Sequence, residues 1–301
     1  MTARSCDEHG RRGARVTSVD ELWGHLNALL LPAFSRYRER IADLPIEVKA
    51  DKTLLTEADI EVQRSIVKAI RAMEPSAVVI AEEDERTHVR TEVLAAQGRV
   101  WVVDPIDGTA EFVKASRTEF CSVVCLLEDW QPSAAFVLAP ELGRGRTPIL
   151  VTADVGGASI SVNGVPGAQP APSGDDRWLS ITRSEGSPAR TVDPIAMAAG
   201  YQLKTRTTSQ TLDMVRTAVD LTNLTDPALP AFSLFCRREQ KLWDGAAGLA
   251  LGRACGLRDC DEAGSELPLR AQFLSAATPV FPSTVMGRPE TVAWFLEAPG
   301  Q

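Results

Sequence analysis

The stretch Val100-Trp-Val-Val-Asp-Pro-Ile-Asp-Gly-Thr109 carries the strongest signal in this chain. Its apolar residues predict a buried strand that runs into a turn at Asp104. Pro105 restricts the backbone of that turn, and Gly108 permits a positive φ or a close approach. Two carboxylates three positions apart on a stiff turn can converge on one point, with the Ile106 carbonyl between them, and Mg²⁺ prefers such oxygen ligands. The alternative is an ordinary Asp-Pro and Asp-Gly turn after a strand.

Two other acidic segments favour a cation site over an ordinary turn. Glu82 and Glu83 follow the apolar run VVIA, so a second predicted strand also ends in carboxylates. Asp244 follows Trp243 at the start of a predicted helix whose first turn is GAAG. Asp is common as a helix N-cap, and that role stays open for Asp244. A helix starting near Thr109 would also offer its free N–H groups and its hydroxyl to a phosphate.

Hydrophobic periodicity predicts the elements around these motifs. Helices are expected over residues 19–41 and 59–73. Short β-branched runs with hairpin-length gaps between the later ones predict a largely antiparallel sheet, with strands at 78–80, 100–103, 121–127, 133–139 and 147–153. The Gly- and Pro-rich segment 164–176 is the predicted domain boundary. Beyond it a smaller α/β layer is expected, with strands at 178–184 and 201–208 and helices near 189–199, 210–220 and 243–255.

Composition and charge exclude several classes of protein. The 301 residues suit one large domain or two modest ones. A net charge of −8, from 32 Lys and Arg against 40 Asp and Glu, argues against a general nucleic-acid binder. No stretch is apolar enough to span a membrane, and the charged N-terminus has no apolar signal core, so a cytoplasmic protein with a frayed leader is expected. With three His and six Cys in no CxxC pair, any metal must be held by oxygen.

Four separated motifs occur in order along the chain: Lys49-Ala-Asp51 with Thr56-x-x-Asp59, Ala81-Glu82-Glu83, Trp101-x-x-Asp104-Pro-Ile-Asp107-Gly-Thr109, and Trp243-Asp244-Gly-Ala-Ala-Gly248. Together they resemble the magnesium-dependent, lithium-sensitive phosphatases of the inositol monophosphatase superfamily. A single motif of this kind can occur by chance, whereas four motifs in the same order are highly specific for the superfamily. Within the superfamily the chain is most similar to the bacterial 3′(2′),5′-bisphosphate nucleotidases, through the weaker features Glu82-Glu83-Asp84, Asp107-Gly-Thr-Ala-Glu-Phe112, Glu119-Phe120 and Ile181-Thr-Arg-Ser184.

The resemblance implies a fold and a domain organisation. The fold is a layered αβαβα sandwich of the inositol monophosphatase and fructose-1,6-bisphosphatase type, α+β in its first half and α/β in its second. A frayed leader over 1–18 would precede an α+β domain over 19–170, whose antiparallel sheet carries most metal ligands. A smaller α/β domain over 171–301 would supply Asp244 and substrate contacts. Members of the superfamily are monomers or homodimers, and the sequence does not decide between them.

The resemblance also implies roles for individual residues. Two or three Mg²⁺ ions would be held by four carboxylates and one backbone carbonyl, those of Glu82, Asp104, Asp107, Asp244 and Ile106. Asp59 and Thr109 would orient and deprotonate a metal-activated water, and the amides of Gly108 and Thr109 would hold the phosphate. Lys49 would be an electrostatic aid near the site, or else a solvated surface lysine.

The substrate side departs from the nucleotidase pattern. A Gly-Ser-Ser-Leu-Lys-like run at a helix start in the family is Ser209-Gln-Thr-Leu-Asp213 here, so Asp213 replaces a lysine that helps to hold the nucleotide. Ser209 remains a predicted substrate contact. Arg237 and Arg238 either form a replacement anion pocket through bidentate contacts or belong to a solvated strand end.

Three functional hypotheses follow. The first is hydrolysis of the 3′-phosphate of adenosine 3′,5′-bisphosphate to AMP and phosphate. The second keeps the same metal chemistry on another small phosphate monoester: an inositol phosphate, a sugar phosphate or a pathway intermediate. The third is a metal- or ligand-binding protein without catalysis, which the complete set of acidic residues disfavours. Neither a nucleic-acid polymer nor a membrane is expected as a partner.

Overall fold

The computed structural model describes residues 18–50, 53–84, 91–167, 177–184 and 186–298. The helices in these ranges are α1 (Val19–Glu39), α2 (Glu57–Met73), α3 (Thr91–Ala95), α4 (Thr109–Phe112), α5 (Val192–Ala198), α6 (Gln210–Ala218), α7 (Leu242–Ala254), α8 (Ala271–Leu274) and α9 (Pro289–Glu297). The strands are β1 (Ile46–Val48), β2 (Leu54–Thr56), β3 (Val78–Ala81), β4 (Arg99–Asp107), β5 (Cys121–Glu128), β6 (Gln131–Ala139), β7 (Ile149–Asp154), β8 (Ser159–Val162), β9 (Val165–Pro166), β10 (Trp178–Arg183), β11 (Gln202–Arg206), β12 (Leu234–Lys241), β13 (Arg258–Cys260) and β14 (Val280–Gly287).

The first large sheet has the strand order β3-β4-β5-β6-β7-β8-β9. Only the β3–β4 pair is parallel, so the prediction of a largely antiparallel sheet is confirmed. Successive side chains of β4 point to opposite faces. Val100 and Val102 pack with α6 and α7 in one core cluster, whereas Trp101 and Val103 pack with α1 and α2 in another. The sheet is therefore covered on both faces, which explains why its strands are apolar runs.

Helices α1 and α2 cover the outer face of this sheet, and local capping sets where they begin. The Ser18 hydroxyl caps α1 by accepting a hydrogen bond from Glu21 N at 3.2 Å. Thr56 and Asp59 form a capping box at the start of α2. The second helix therefore begins at Glu57, two residues before the predicted start at Asp59.

The second large sheet has the order β11-β10-β12-β14-β13 and mixed pairing. The strand β10 runs parallel to β11 and β12, while β14 runs antiparallel to β12 and β13. The predicted α/β layer is thus confirmed, although β12, β13 and β14 are not among the predicted strands. Val192 of α5 and Phe295 of α9 pack on one face of this sheet. Phe235 and Met286 on the other face join the core cluster around α6 and α7.

These contacts build five layers, in the order α1/α2, first sheet, α6/α7, second sheet, α5/α9. The expected αβαβα sandwich is confirmed. Residues on both sides of the predicted domain boundary share the central core cluster, and most of that boundary (168–176) lies outside the described residues, as does the leader through residue 17. The division into two domains therefore stays a prediction. Among the described helices, none is both long and apolar enough to cross a membrane.

Candidate active site

The carboxylates of the Asp-Pro-Ile-Asp motif lie at an irregularity in β4. The strand continues to Asp107, and its register against β5 shifts between Asp104 and Asp107. Pro105 has no N–H to donate to the ladder, so a bulge is expected at this point. The sequence predicts a turn here. The structure shows a bulged strand end instead, which keeps the segment in the sheet and holds both aspartates.

Gly108 allows the chain to leave the strand and enter α4 at Thr109, where a helix start is expected. Its φ is +91°, in the left-handed region that favours glycine. A Cβ at this position would lie 3.0 Å from the carbonyl oxygen of Glu119. Any side chain would therefore be strained and crowded, so this exit from the strand requires glycine.

Asp244 belongs to the first turn of α7, directly after β12. The N-cap residue of α7 is Lys241, so Asp244 is the third residue of the helix and not its cap. The carboxylate is buried, and its Oδ2 accepts a hydrogen bond from Gln210 Nε2 at 2.7 Å. The alternative interpretation of Asp244 as an N-cap is therefore wrong.

Three carboxylates from separate parts of the chain converge. Single oxygens of Asp104, Asp107 and Asp244 all lie within 4.8 Å of one another, and all three residues are buried. The start of α6 holds one of them, because Ser209 Oγ and Thr211 N each donate to Asp107 Oδ2 at 2.7 Å. Both oxygens of Asp104 are buried without a hydrogen-bond partner within the described residues.

Burial and mutual repulsion shape the electrostatics of this cluster. Burial, followed by the neighbouring carboxylates, raises the pKa of Asp104 and of Asp244 well above the ordinary value. Burial raises the pKa of Asp107 to about 6, against the lowering effect of its bonds to Ser209 and Thr211. Unpaired buried oxygens beside like charges are costly, and a divalent cation relieves both penalties. The donor set of three carboxylates fits Mg²⁺.

Glu82 approaches the same space from the end of β3, with two lysines beside it. Its Oε1 lies 3.3 Å from Lys49 Nζ and 3.6 Å from Lys241 Nζ. Lys49 also pairs with Glu83, whose pKa burial raises to about 7. Lys49 is thus an ion-paired residue at the site, and not a solvated surface lysine. Asp51 of the first motif lies outside the described residues.

Asp59 and Thr109 meet beside the carboxylate cluster. Asp59 Oδ2 accepts hydrogen bonds from Thr56 N at 2.8 Å and from Thr56 Oγ1 at 2.6 Å. The Thr109 hydroxyl lies 3.3 Å from Asp59 Oδ1 and 3.0 Å from the Ile106 carbonyl oxygen, and either can accept its proton. Burial raises the pKa of Asp59 to about 6. The pair can hold and accept a proton near neutral pH.

A cavity of about 590 Å³ opens over these groups. Its wall includes most of the predicted metal ligands and phosphate contacts, namely Glu82, Asp104, Ile106, Asp107, Gly108, Thr109 and Asp244. It also includes Arg237, whereas Arg238 lies in a neighbouring cavity of about 380 Å³.

The residues at the start of α6 support the carboxylate cluster, whereas the sequence predicted a substrate contact there. Ser209, a predicted substrate contact, is fully buried and donates to Asp107. Asp213 is also buried, and it bonds Lys204 Nζ at 2.5 Å and Ser180 Oγ at 2.9 Å. Asp213, which stands where the nucleotidases have a lysine, is therefore paired with Lys204 of β11 in the second sheet. Gln210 and Thr211 are site residues that the sequence analysis missed, and the N-cap preference of Ser209 is the signal that could have found this helix start.

The family model for the inositol monophosphatase family matches residues 25–287 of this chain. The chain belongs to the inositol monophosphatase family. The match covers both large sheets and every residue of the carboxylate cluster. Membership therefore agrees with the resemblance that the four sequence motifs indicate.

Curated proteins of this family align with part of the chain. The histidinol-phosphatase of Mycobacterium tuberculosis is 37% identical over 110 residues, which are 36% of this chain and 40% of that protein. The 3′(2′),5′-bisphosphate nucleotidase CysQ of Escherichia coli K12 is 37% identical over 98 residues, which are 32% of this chain and 38% of that protein. The alignments thus span less than half the length of these curated relatives.

Solved structures of the inositol monophosphatase family share the whole fold. Staphylococcal inositol monophosphatase-1, in an LiCl-soaked inhibitory complex, has a TM-score of 0.69 at 18% identity, over 95% of this chain and 97% of that one. A dual inositol monophosphatase/NADP phosphatase has a TM-score of 0.68 at 20% identity, over 94% of this chain and 96% of that one. At these identities the likeness establishes the fold of this chain and leaves its substrate open.

Proposed function

We propose that this chain is a magnesium-dependent phosphate monoesterase. The observation that carries the proposal is the convergence of Asp104, Asp107 and Asp244 in one cavity, with both oxygens of Asp104 buried and unpaired within the described residues. These carboxylates, with Glu82 and the Ile106 carbonyl, would hold two or three Mg²⁺ ions. When bound, Mg²⁺ neutralises the phosphate oxygens and lowers the pKa of the attacking water.

The residues of the chain position the substrate and move one proton. The phosphate lies against the backbone at Gly108 and Thr109, where α4 begins beside the carboxylates. Asp59, through the Thr109 hydroxyl, accepts the proton of the water that attacks phosphorus. The bond from phosphorus to the leaving oxygen breaks, and that oxygen takes up a proton from solvent as the alcohol departs. Lys49 and Lys241 offset the charge of Glu82 and so limit repulsion between the site and an anionic substrate.

Two substrate classes have specific support. Local motifs and the alignment with CysQ favour the 3′-phosphate of adenosine 3′,5′-bisphosphate, with AMP and phosphate as products. The alignment with histidinol-phosphatase favours a phosphorylated amino alcohol as the second candidate. Because Asp213 stands where the nucleotidases have a lysine, a nucleotide must bind here through other cations.

Phosphate release measured over a substrate panel tests this function. The purified chain is assayed with adenosine 3′,5′-bisphosphate, histidinol phosphate, inositol 1-phosphate and fructose 1,6-bisphosphate, each with Mg²⁺ and with EDTA. We expect phosphate release in the assays with Mg²⁺ and none in the assays with EDTA. The substrate that is hydrolysed best identifies the substrate class. Lithium chloride in the same assay tests the lithium sensitivity that the family predicts. Magnesium binding without release from any monoester would favour the hypothesis of a non-catalytic binding protein.

A further inference from the structure

A second cavity adjoins the cavity that contains the carboxylate cluster. The second cavity has a volume of about 380 Å³ and shares three wall residues with the first: Ser184, Arg237 and Glu239. It lies at the ends of β10 and β12 and reaches the segment before α5. A substrate whose phosphate lies at the carboxylates therefore has room to extend its alcohol portion toward this end of the second sheet.

Arginines dominate the wall of the second cavity, which includes Arg183, Arg190, Arg237 and Arg238 against one acidic residue, Glu239. Three of the four have carboxylate partners. Arg183 pairs with Asp193 at 2.8 Å, and Glu262 pairs with both Arg190 and Arg238. These pairs leave one arginine whose charge is not neutralised by direct contact.

That arginine is Arg237, at the junction of the two cavities. Its Nη1 donates to Thr207 Oγ1 at 2.9 Å, and its Nη2 lies 3.5 Å from Ser184 Oγ. Both partners are neutral hydroxyls, and no carboxylate of the described residues lies within ion-pair distance. Asp244 and Glu239 act on the guanidinium only at longer range. Arg237 is therefore available to an anion that enters from either cavity.

Buried hydrogen-bond donors without acceptors also lie in the wall of the second cavity. Arg237 Nε and Arg183 Nη1 are both buried and have no hydrogen-bond partner within the described residues. The buried hydroxyl of Thr182, another wall residue, has none either. Buried donors that lack acceptors cost free energy, and an anion with several oxygens satisfies them together. These donors belong to strands β10 and β12 of the second sheet. They do not include α6, where Asp213 forms an ion pair with Lys204.

We propose that the alcohol portion of the substrate carries a second anionic group, which binds between Arg237 and Arg183 in the second cavity. This proposal rests on the proposed phosphatase function and specifies its substrate class. The shared chemistry is a phosphate or a carboxylate on the leaving alcohol. The second anion lies away from the bond that breaks, so we expect it to bind about equally in the ground state and the transition state, and we expect its loss to raise KM more than it lowers kcat.

Matched substrate pairs test the proposal. Adenosine 3′,5′-bisphosphate and adenosine 3′-monophosphate differ by a phosphate, and 3-phosphoglycerate and glycerol 3-phosphate differ by a carboxylate. We expect the wild type to prefer the doubly anionic member of at least one pair, which identifies the anion. We expect Arg237→Gln to raise KM for that member about tenfold, with a change below about twofold for its partner. Arg237→Lys should recover part of the preference.

Arg71→Gln is the matched control, because it removes the same charge from an exposed position on α2. It should leave both KM values unchanged. Equal hydrolysis of both members of each pair by the wild type, or an equal effect of Arg237→Gln on both members, would overturn the proposal. If the wild type releases phosphate from no substrate, the proposed function fails. In that case, 5′-AMP and adenosine are titrated separately into the protein in EDTA and their binding is measured by calorimetry, which tests the second anion site alone. Equal affinity of the wild type and Arg237→Gln for 5′-AMP would overturn the proposed site.

Discussion

At the residue scale, Asp104 is the member of the carboxylate cluster that lacks a hydrogen-bond partner among the described residues. Its two oxygens are buried and unpaired in the described part of the chain, and the carboxylates of Asp107 and Asp244 lie beside it. Ser209, Thr211 and Gln210 bond the other two aspartates. Of the three proposed ligands, Asp104 therefore has the most to gain from a cation.

Asp104→Asn should abolish activity without unfolding the protein. We expect turnover to fall about 100-fold or more, because the loss of one charge at a preorganised site costs that much. We also expect unchanged or higher stability in EDTA, since the amide removes a repelled buried charge and can donate to neighbouring carboxylates. Phosphate release, magnesium titration calorimetry and thermal unfolding measure the three effects.

The exposed Asp154 provides the control for this substitution. Asp154→Asn removes the same charge from the end of β7 and should leave turnover and magnesium affinity unchanged. Full activity of Asp104→Asn at ordinary magnesium concentrations would place the metal site elsewhere.

The Thr109 hydroxyl lies between Asp59 and the Ile106 carbonyl at the end of β4. Thr109→Ala should lower kcat about 100-fold, since it removes the group through which Asp59 accepts a proton. The loss of unfolding free energy should be only about 1 kcal/mol, the usual contribution of one hydrogen bond. Thr109→Ser retains the hydroxyl and should keep kcat within a few fold of the wild type. Equal kcat values for the alanine and wild-type proteins would exclude Thr109 from the proton path.

At the element scale, the packing of α6 against α7 determines the geometry of the site. The start of α6 holds Asp107, and the start of α7 carries Asp244, so the distance between the helices sets the distance between the carboxylates. Gly248 on α7 permits a close approach, because a Cβ there would lie 2.5 Å from the Cβ of Met214 on α6. The last glycine of the Trp-Asp-Gly-Ala-Ala-Gly motif therefore serves helix packing.

The substitution Gly248→Ala should accordingly destabilise the protein by about 1–3 kcal/mol, the usual cost of overpacking a core. Gly24→Ala is the control, because this glycine lies in α1 with no atom near the added methyl group. It should increase stability by about 0.5–1 kcal/mol through helix propensity. Urea unfolding measures both, and an equal effect of the two substitutions would contradict the role of Gly248 in packing.

At the scale of the whole molecule, buried acids link stability to pH and to magnesium. Burial raises the pKa of Asp59 and of Asp107 from 3.8 to about 6, so the folded state binds more protons than the unfolded state between these values. The metal-free protein is thus stabilised below about pH 4 by these groups, and it loses that stabilisation as pH rises through about 6. Under the proposed function, Mg²⁺ would bind the ionised folded state and compensate for the loss.

Stabilisation by Mg²⁺ should therefore be larger at pH 7.5 than at pH 5. Thermal unfolding in EDTA and in excess Mg²⁺ at each pH measures the difference. Asp104→Asn should reduce the gain at pH 7.5. A magnesium effect that is equal at both pH values would contradict the assignment of the carboxylate cluster as the metal site.

The sequence predicted the first sheet better than the second. Strands β3 to β7 are β-branched runs covered on both faces, and such runs are recognisable by themselves. The apolar start of strand β12 is followed by the charged residues Arg237 to Glu239, which conceal the strand in the sequence. Strand β14 contains Pro282, a residue that normally argues against a central strand. It lies opposite Glu239, whose φ is +53°, so the ladder is already interrupted where the proline lacks an N–H.

The sequence by itself determined which groups are available for the chemistry, because oxygen ligands, a proline that interrupts a strand and a required glycine are local properties of a few neighbouring residues. Only the tertiary structure decided which of these groups meet. Asp244 joins Asp104 and Asp107 because α7 packs between the two sheets. Ser209 bonds Asp107, and Asp213 pairs with Lys204, because α6 packs in the same central layer. Contacts between distant segments depend on the packing of whole layers, and no local pattern in the chain encodes that packing.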